Sequence, residues 1–263
     1  MTDALLSLKG RVALVTGGGR GIGAGIAQSL AKAGADVVVA DYTRELADGG
    51  IEALDSFGVR SSALVVDVRE ADSVAAMVAA VEEQFGRLDI AVNNAGIVSL
   101  GGVGQLTVQQ WDDVMDVNLR GVFLCCQAEI ALMRKAKFGR IVNTASIAGK
   151  VGFPELSHYS ASKFGVIGFT NAIAKEVAKE GITVNALCPG IVGTGMWRGD
   201  TGLSKLWANP GETEEQSWER HQNVFLPQGV AQTSEDMGQM VVYLASAAHV
   251  TGQALAVDGG FSL

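Results

Sequence analysis

The sequence predicts a doubly wound α/β fold, in which a mostly parallel sheet is covered by helices on both faces. Short apolar runs of strand length alternate with longer stretches of helical periodicity along the 263 residues. A glycine-rich turn joins the first strand to the first helix, and polar residues follow several later strands. No internal repeat, low-complexity tract or linker breaks the alternation. We therefore expect a single domain over residues 1–263.

The first predicted strand covers 12–16, and a helical pattern follows over 24–33. The turn between them carries Gly17, Gly21 and Gly23. Glycines permit a tight turn and let the backbone approach a pyrophosphate, while the helix N-terminus supplies N–H groups and the positive end of a dipole. This stretch is therefore predicted to bind the phosphates of a dinucleotide.

The second predicted strand, 36–41, ends in Asp41, which lies 18 residues after Gly23. A carboxylate in this position accepts hydrogen bonds from the adenosine ribose and repels a 2′-phosphate, which favours NAD over NADP. Arg20 and Arg44 are close enough in the sequence to pair with such a phosphate, so NADP is the second candidate cofactor. Capping of a helix or turn is the alternative role for the carboxylate.

Two further predicted strands also end in polar residues. The third covers 63–68, and Asp67 near its end either faces the adenine or forms the strand-end turn. An amphipathic helix follows over 70–86. The fourth strand covers 88–92 and runs into 93–96, whose amides and glycine suit hydrogen bonds to a cofactor or to neighbouring backbone.

Tyr159 and Lys163 are four residues apart in a predicted helix over 159–180, so they share one face of it. A phenol titrates near about 10, and an ammonium group beside it favours the phenolate. The pair is a candidate general acid/base, with a surface Lys beside a half-buried Tyr as the alternative. Ser146 follows a fifth strand over 140–145, and its hydroxyl could donate to a carbonyl oxygen or an alkoxide.

Asn118 stands in the middle of a helical stretch over 107–135. Asparagine is locally unfavourable inside a helix because its side chain competes for backbone hydrogen bonds. We therefore expect either an inward-facing polar group with a function or an asparagine that faces solvent or bonds to backbone.

The alternation of strands and helices breaks after a sixth strand over 182–187. From 191 to about 230 the chain is rich in Gly, Thr, Pro and Trp and shows no clear strand. Long irregular segments inside compact domains are usually functional or disordered, and the aromatic residues argue against disorder. We predict a small helical lid over a substrate, followed by a capped helix over 234–246 and a last strand over 253–257.

The charge pattern limits the possible partners. The net charge is −8, and no cluster of Lys and Arg suggests binding to nucleic acid or to an anionic membrane. The N-terminus lacks the features of a signal peptide, and no apolar run reaches about 18 residues, so a cytoplasmic location is expected. The three cysteines are expected to be reduced, buried thiols. Without a Cys-x-x-Cys pair or clustered histidines, no metal site is expected.

Together these motifs resemble the short-chain dehydrogenase/reductase family over essentially the whole chain. They occur in the family's order and comprise Thr16-Gly17-x-x-x-Gly21-x-Gly23, Asp67-Val68, Asn93-Asn94-Ala95-Gly96, Asn118, Ser146, Tyr159-x-x-x-Lys163 and Pro189-Gly190. The resemblance implies a Rossmann sheet, a bound NAD, a catalytic tetrad and a homo-oligomer, commonly a tetramer.

The resemblance also implies a role for each residue of the tetrad. Tyr159 would exchange a proton with the substrate oxygen while hydride moves to or from the nicotinamide. Lys163 would lower the pKa of Tyr159 and hold the nicotinamide ribose. Ser146 would orient and polarise the substrate oxygen, and Asn118 would anchor a water that links Lys163 to solvent. The implied cofactor-binding set is Gly17, Arg20, Gly21, Ile22, Gly23, Asp41, Asp67, Val68, Asn94, Ala95, Gly96, Tyr159, Lys163, Pro189, Gly190, Val192 and Thr194.

The stretches 188–197 and 152–156 look like those of the acetoin/butanediol and polyol dehydrogenases within the family. Met196 and Trp197 would then form an apolar wall, and Glu155 would contact a second substrate hydroxyl. Packing of the lid or exposure to solvent is the alternative for all three residues. The middle of the lid, from Arg198 to Gln222, matches no pattern of these enzymes and leaves the exact substrate open.

The leading hypothesis is an NAD-dependent oxidoreductase that acts on a small secondary alcohol, diol, polyol or hydroxyketone. The alternative is an NADPH-dependent 3-oxoacyl thioester reductase, against which Asp41 and the absence of a basic surface for an acidic carrier protein argue. A third hypothesis is a protein that senses a dinucleotide without catalysis. It predicts a damaged tetrad, whereas all four positions are filled.

Overall fold

Seven strands form one sheet in a computed structural model that describes residues 6–263. The strands are Val12–Thr16 (β1), Asp36–Asp41 (β2), Ser61–Val65 (β3), Ile90–Asn93 (β4), Gly139–Thr144 (β5), Ile182–Pro189 (β6) and Ala254–Val257 (β7). Their order across the sheet is β3-β2-β1-β4-β5-β6-β7, and every neighbouring pair is parallel. The structure confirms the predicted doubly wound α/β fold.

Helices cover both faces of this sheet. They are Gly21–Lys32 (α1), Arg44–Glu52 (α2), Ala71–Phe85 (α3), Val108–Met115 (α4), Gly121–Ala136 (α5), Ser157–Val177 (α6), Leu203–Leu206 (α7), Glu214–Phe225 (α8) and Ser234–Ser246 (α9). The core on one face contains side chains of α3, α5 and α6, and the core on the other contains those of α1 and α9. No helix within residues 6–263 is long and apolar enough to cross a bilayer.

The central strands are apolar on both sides because each face packs against helices. In β1, Val12 and Leu14 belong to one core, while Ala13 and Val15 belong to the other. Successive side chains of a strand point to opposite faces, so a continuous apolar run satisfies both cores at once. This is why the sequence shows uninterrupted apolar runs here rather than alternation.

The strand order reverses between β1 and β4, which pair with each other but lead to helices on opposite faces of the sheet. In doubly wound sheets such a reversal opens a crevice at the carboxyl ends of the strands, and ligands bind there. Thr16 and Asn93 are the register partners at this edge. The predicted glycine turn and the polar run after β4 therefore meet in the crevice.

Some predicted boundaries are wrong. The third strand ends at Val65, so Asp67 and Val68 lie in the turn beyond it. The helix α2 was not predicted, because its two consecutive glycines weaken the helical pattern. It forms because Thr43 caps it through a bond from the Leu46 N–H to its hydroxyl.

The predicted helical stretch over 107–135 consists of two helices joined by a π-helical turn, Asp116–Arg120. Such turns insert an extra residue into a helix and are frequent at functional sites. Asn118 lies inside this turn and is fully buried. The turn therefore directs a polar side chain inward at a point where a regular helix would not.

The predicted lid segment, 191–230, contains the two helices α7 and α8. A capping box formed by Thr213 and Gln216 begins α8. The segment is tied to the rest of the chain by an isolated bridge between Val192 and Gln232. Its helical character agrees with the prediction, and its function as a lid stays a prediction.

A polar network is buried between the sheet and α5. The Asn93 Nδ2 lies 3.0 Å from both Glu129 Oε2 and Asn143 Oδ1, and the Asn143 Nδ2 donates to Thr170 Oγ1 at 2.9 Å. The Glu129 Oε1 has no hydrogen-bond partner among the described residues. Burial raises the pKa of Glu129 to about 7, which the Asn93 hydrogen bond partly opposes.

The raised pKa of Glu129 predicts a pH-dependent stability. Because the folded pKa lies above the unfolded value, Glu129 contributes stability that is complete below about pH 4.5 and is lost as pH rises through about 7. We expect Glu129→Gln to match the wild type near pH 4.5 and to exceed its free energy of unfolding by roughly 3 kcal/mol above pH 7. Urea unfolding from pH 4.5 to 8 measures this difference. The control, Glu83→Gln, changes an exposed carboxylate of α3, and its free energy of unfolding should differ from that of the wild type by the same amount at every pH. If the difference in free energy of unfolding between Glu129→Gln and the wild type were also independent of pH, the raised pKa would be contradicted.

Candidate active site

The turn between β1 and α1 brings backbone very close to backbone. Gly17 and Gly21 have positive φ angles of 61° and 56°, which favour glycine. A Cβ at Gly23 would lie 2.0 Å from the Gly17 carbonyl oxygen. No side chain among residues 6–263 caps α1, and its first turn carries no acidic residue. The first N–H groups of α1 and its positive dipole end are thus suited to bind a phosphate.

Asn94 holds this turn against the end of β4. Its Nδ2 donates to the carbonyl oxygens of Thr16 and Gly17 at 3.2 and 3.0 Å. In return, the Thr16 hydroxyl accepts from the N–H groups of Asn94 and Ala95 at 3.1 and 3.3 Å. On its other side, the turn packs against Thr194, which lies 3.5 Å from where a Gly21 Cβ would be.

Asp41, at the end of β2, faces the same turn. Its Oδ2 accepts from the Gly19 N–H at 2.9 Å, and its Oδ1 accepts from the Tyr42 N–H at 2.7 Å. The carboxylate is thus held in one orientation beside the phosphate-binding turn. Arg44 is turned away from it, because its Nη1 donates to the Ala63 carbonyl oxygen at 3.0 Å.

Arg20 precedes α1 and is exposed to solvent beside this turn. It is therefore the arginine that is better placed to meet a 2′-phosphate, since Arg44 bonds to the β3 backbone.

Asp67 is engaged by a neighbour in the structure. Arg69 binds its carboxylate through two nitrogens, with Nε at 2.9 Å from Oδ1 and Nη2 at 2.6 Å from Oδ2. The hydrogen bonds from Arg69 lower the pKa of Asp67. Val68 is buried and lies beside Gly121, where a Cβ would be 2.8 Å from its side chain. That these two residues contact the adenine stays a prediction.

Two residues that follow β6, Gly190 and Val192, are closely packed in the structure. A Cβ at Gly190 would lie 2.5 Å from Gln232 Oε1 and 2.7 Å from the Asp258 Cα. Val192 is buried in the core that contains α1 and α9. Gly190 therefore has no room for a side chain, and the Val192 side chain packs into the core.

Ser146, Tyr159 and Lys163 converge at the end of β5. The Lys163 Nζ donates to the Thr144 carbonyl oxygen at 2.8 Å and lies 5.6 Å from the centre of the Tyr159 ring. The Ser146 hydroxyl accepts from the Ala148 N–H at 3.1 Å, which orients it at the start of a short turn. All three side chains are buried and polar, so they are suited to stabilise charge that develops on a substrate during a reaction.

Asn118 reaches the same place from the π-helical turn. Its Oδ1 accepts from the Ile97 N–H and its Nδ2 donates to the Ile97 carbonyl oxygen, both at 2.9 Å. A Cβ at Gly96 would lie 3.3 Å from Asn118 Oδ1 and 3.6 Å from Lys163 Nζ. The structure therefore brings all four tetrad residues together. Since the Asn118 side chain is occupied by backbone, its predicted role in anchoring a water remains a prediction.

Burial dominates the titration of this cluster. It raises the pKa of Tyr159 to about 12, and the Ser146 hydroxyl acts in the opposite direction. It also lowers the pKa of Lys163 to about 8. The net effect on the Tyr159 pKa is therefore a rise, because desolvation of the phenolate dominates, and the lowering of this pKa by Lys163 stays a prediction. The phenol is therefore protonated and the lysine largely charged at neutral pH.

A cavity of about 340 Å³ opens beside Ser146 and Tyr159. Its walls are largely apolar and rich in aromatic side chains, and they come from the turn after β5, the segment that leads into α6, the lid and the C-terminus. The lining side chains outside the tetrad include Phe153, Glu155, Trp197, Trp207, Arg220, His221, Phe225 and Phe261. The cavity is large enough for a compact organic substrate next to the two hydroxyls.

The substrate predictions meet different outcomes. Trp197 and Glu155 line the cavity. The Glu155 Oε2 accepts from the Trp207 Nε1 at 3.0 Å, so the carboxylate also holds a lid aromatic in place. Met196 is not among the described residues that line the cavity.

Sequence reasoning missed His221, Arg220 and Phe225, which α8 contributes to the cavity. One signal was available, because Trp218, His221 and Phe225 recur at the spacing of one helix face. The isolation of the three histidines in the sequence argues against a metal site, but it does not indicate whether one of them lines a cavity. Within residues 6–263 no cluster of three or more metal-binding side chains occurs.

Comparisons with known proteins place this geometry in a family. The sequence profile of the family described as short chain dehydrogenase matches residues 11–201. The chain is 40% identical over 254 residues to the 3-oxoacyl-[acyl-carrier-protein] reductase FabG of Staphylococcus aureus strain Mu50, covering 94% of this chain and 96% of that protein. It is 38% identical over 261 residues to the 3-oxoacyl-[acyl-carrier-protein] reductase of Synechocystis sp., covering 97% and 98%.

Among solved structures, the chain is similar to the crystal structure of levodione reductase. The TM-score is 0.91 at 33% identity, covering 97% of this chain and 98% of the other. The names of the two bacterial relatives favour the 3-oxoacyl reductase alternative over the diol and polyol hypothesis. The specific resemblance to acetoin and polyol dehydrogenases receives no such support.

The tight glycine turn predicts that one added methyl group, at Gly23, strongly weakens dinucleotide binding. In Gly23→Ala the new Cβ would meet the Gly17 carbonyl oxygen and Asn94 Nδ2, so the turn must open. We expect binding of NADH and NADPH to weaken by more than about tenfold, since the backbone N–H groups lose their positions. Titration of reduced-nicotinamide fluorescence measures this.

Gly49→Ala is the control for this variant. Its Cβ meets nothing within 4 Å on α2, so binding should be unchanged and stability should rise by about 0.5–1 kcal/mol. Wild-type dinucleotide affinity in Gly23→Ala would show that the turn does not bind the cofactor.

Proposed function

The chain belongs to the short-chain dehydrogenase/reductase family and is an oxidoreductase, and we propose that it interconverts a secondary alcohol and its ketone. The observation that carries this proposal is the convergence of Asn118, Ser146, Tyr159 and Lys163 beside an aromatic cavity. A bound nicotinamide dinucleotide would supply or accept the hydride.

The residues around the crevice fit such a cofactor. The turn packs too tightly for a Cβ at Gly23, and the α1 N-terminus, which no described side chain caps, is suited to a pyrophosphate. We propose that this turn, Asp41, the segment 94–96 and the end of β6 hold it. The full set proposed is Gly17, Arg20, Gly21, Ile22, Gly23, Asp41, Asp67, Val68, Asn94, Ala95, Gly96, Tyr159, Lys163, Pro189, Gly190, Val192 and Thr194.

Tyr159 would act as the general acid when a ketone is reduced. Its pKa of about 12 keeps the phenol protonated in the unliganded site, so it is ready to donate to a carbonyl oxygen. Ser146 would donate a second hydrogen bond to that oxygen, which stabilises the developing alkoxide.

Lys163 would act behind Tyr159. Its ammonium group lies 5.6 Å from the ring centre and stabilises a phenolate when the proton has left. Asn118 would keep Ile97 and the segment before it in place through its paired hydrogen bonds. In the direction of alcohol oxidation, the same groups would accept the proton.

We propose NAD(H) as the cofactor because Asp41 is fixed beside the glycine turn. Its carboxylate is positioned by the Gly19 and Tyr42 N–H groups and would repel a 2′-phosphate. Arg44, one of the two arginines that could pair with such a phosphate, bonds to the Ala63 carbonyl oxygen instead. The exposed Arg20 keeps NADP as the second candidate.

For the substrate, the aromatic cavity favours a compact ketone or secondary alcohol, of which small diols, polyols and hydroxyketones are the class proposed first. Trp197 and Trp207 line the cavity, and the centroids of their rings lie 5.8 Å apart. A cavity of about 340 Å³ with such a wall suits a small organic molecule.

A second candidate is the reduction of 3-oxoacyl thioesters. The printed names of the two bacterial relatives favour it, at 40% and 38% identity over nearly the whole chain. A dinucleotide sensor without catalysis ranks below both, because the tetrad is complete and its members lie together.

We also propose that the protein is cytoplasmic and forms a homo-oligomer, with the tetramer that the family resemblance implies as its form. An apolar groove supports the oligomer, since Leu119, Phe123 and Phe169 line it on α5, α6 and the turn before α5. Phe123 is 43% exposed, which a second copy of the chain would cover.

The acid/base role of Tyr159 predicts a loss of turnover without loss of binding. In Tyr159→Phe the proton donor is absent while the ring remains, so kcat should fall by about 10²–10⁴-fold and NADH should bind nearly as before. Steady-state kinetics and NADH fluorescence measure the two quantities. Tyr243→Phe removes a phenol that is exposed on α9 and should leave both unchanged. A variant that retained full turnover would refute the proposed role.

Asp41 predicts the choice of cofactor. We expect the wild type to bind NADH more than about tenfold tighter than NADPH, and Asp41→Asn to lose much of this preference because the charge is gone. Glu52→Gln removes the same charge at the far end of α2 and should keep the preference.

Turnover of acetoin with NADH and of acetoacetyl thioester with NADPH completes this test. Tighter NADPH binding together with turnover of the thioester would put the second candidate in first place. Arg20 would then be the residue to pair with the 2′-phosphate.

A further inference from the structure

One imidazole forms part of the cavity wall and has no role in the tetrad chemistry. His221, on α8, lines the cavity and is only 3% exposed. Buried polar groups normally have partners, so an imidazole in an aromatic wall calls for an explanation. The following inference rests on the proposed function and concerns the substrate that the cavity accepts.

The hydrogen bonding of His221 fixes which ring nitrogen carries the proton. Its Nδ1 lies 2.6 Å from the Ser217 carbonyl oxygen, one turn earlier in α8. A carbonyl oxygen only accepts, so Nδ1 must donate. Burial lowers the pKa of His221, which keeps the ring neutral. In a neutral imidazole with a protonated Nδ1, the other nitrogen, Nε2, is a hydrogen-bond acceptor.

The Nε2 atom is the edge of the ring that is directed away from α8. The hydrogen bonds that His221 makes within residues 6–263 all involve Nδ1 and Ser217. Because Nδ1 is turned back onto its own helix, the edge with Nε2 is the part that reaches the cavity. The cavity thus contains one neutral acceptor from the lid in addition to the two catalytic hydroxyls. The two charged side chains in its wall have partners of their own, since Glu155 accepts from the Trp207 Nε1 and Arg220 binds Glu212.

The orientation of this ring is fixed by its surroundings. The rings of Trp197, Trp207 and Phe225 lie 5.7, 5.8 and 5.5 Å from it, measured between centroids. Arg220 secures this arrangement, since it donates to the Trp207 carbonyl oxygen at 2.9 Å and binds Glu212 through two nitrogens. The acceptor is therefore presented in one direction, as a site that selects a ligand requires.

We propose that the His221 Nε2 accepts a hydrogen bond from a hydroxyl group on the substrate that is separate from the reacting oxygen. Ser146 and Tyr159 would hold the reacting oxygen from the sheet edge and α6, while His221 would hold the second hydroxyl from α8. The cavity would then select hydroxyketones and diols over ketones and alcohols without a second hydroxyl. A substrate without it would leave a buried acceptor unpaired, which is how polar pockets reject analogues.

The experiment compares pairs of ketones that differ in one hydroxyl. The probes are 3-hydroxybutan-2-one and 4-hydroxybutan-2-one against butan-2-one, and 4-hydroxycyclohexanone against cyclohexanone, each reduced with NADH and with NADPH. For at least one pair, we expect the wild type to show a kcat/KM more than about tenfold higher for the hydroxyketone. The variants are His221→Phe, which keeps an aromatic ring without an acceptor, and His221→Gln, which is smaller and retains a polar group.

In His221→Phe, the preference for the hydroxyl should disappear, mainly through KM, because the contact does not involve the reacting atoms. The kcat/KM for the ketone without the hydroxyl should rise toward that of the hydroxyketone, because the acceptor that this ketone leaves unpaired is gone. His221→Gln should retain part of the preference. His249→Phe replaces an exposed imidazole and should leave every value unchanged. Tryptophan fluorescence and thermal unfolding show whether each variant is folded.

Several results would overturn the inference. Equal losses for both members of each pair in both His221 variants would mean that the ring only supports packing of the lid. Reduction of the ketones by the wild type without any preference would refute the inference and leave the proposed function intact. Failure of the wild type to reduce any of these ketones with either cofactor would refute the proposed small-ketone function and the inference together.

Discussion

The close contact between the end of β1 and the start of α1 is the constraint on which the site depends. The Gly17 carbonyl oxygen occupies the space of a side chain at Gly23, and Asn94 holds both Thr16 and Gly17 from the neighbouring strand. The two central strands and the first helix are thereby fixed in one arrangement. Every other part of the crevice is positioned relative to this clamp, because Asp41 bonds to the same turn and Thr194 packs on it.

The candidate active site also depends on a buried positive charge, the Lys163 ammonium group, whose hydrogen-bond partner is neutral. Lys163 is almost fully buried and donates to a backbone carbonyl oxygen, so no carboxylate neutralises it among the residues described. Burial of an ammonium group costs free energy, and the lowered pKa records that cost. This cost arises at the carboxyl edge of the sheet, where the Lys163 ammonium group lies close to the Tyr159 phenol. Structural stability and chemistry therefore compete at this point, as they commonly do in active sites.

Much of this architecture was predictable from the sequence because it depends on local patterns. Apolar runs gave the strands, the glycine spacing gave the turn, and the four-residue spacing of Tyr159 and Lys163 gave the shared helix face. Features that depend on tertiary contacts were not predictable. Asn118 marked an unfavourable point in the helical pattern, but nothing in the sequence showed that the helix opens into a π-helical turn there, and the cavity wall on α8 depends on how the lid folds back. Met196 is not among the described residues that line that wall, because sequence proximity does not tell which way a side chain points, and its contact with a substrate stays a prediction.

The π-helical turn has a consequence for the length of the chain in this region. It holds one residue more than a regular helical turn, and one residue corresponds to a rotation of about 100°. A deletion of Val117 or Leu119, on either side of Asn118, would remove the extra residue and convert the turn to regular helix. The Asn118 side chain would then be directed differently, its bonds to Ile97 would be lost, and the segment after β4 would lose its anchor even though no tetrad residue had been removed. Among descendants of this gene, substitutions in the turn at positions other than Asn118 should thus be tolerated more readily than changes in its length.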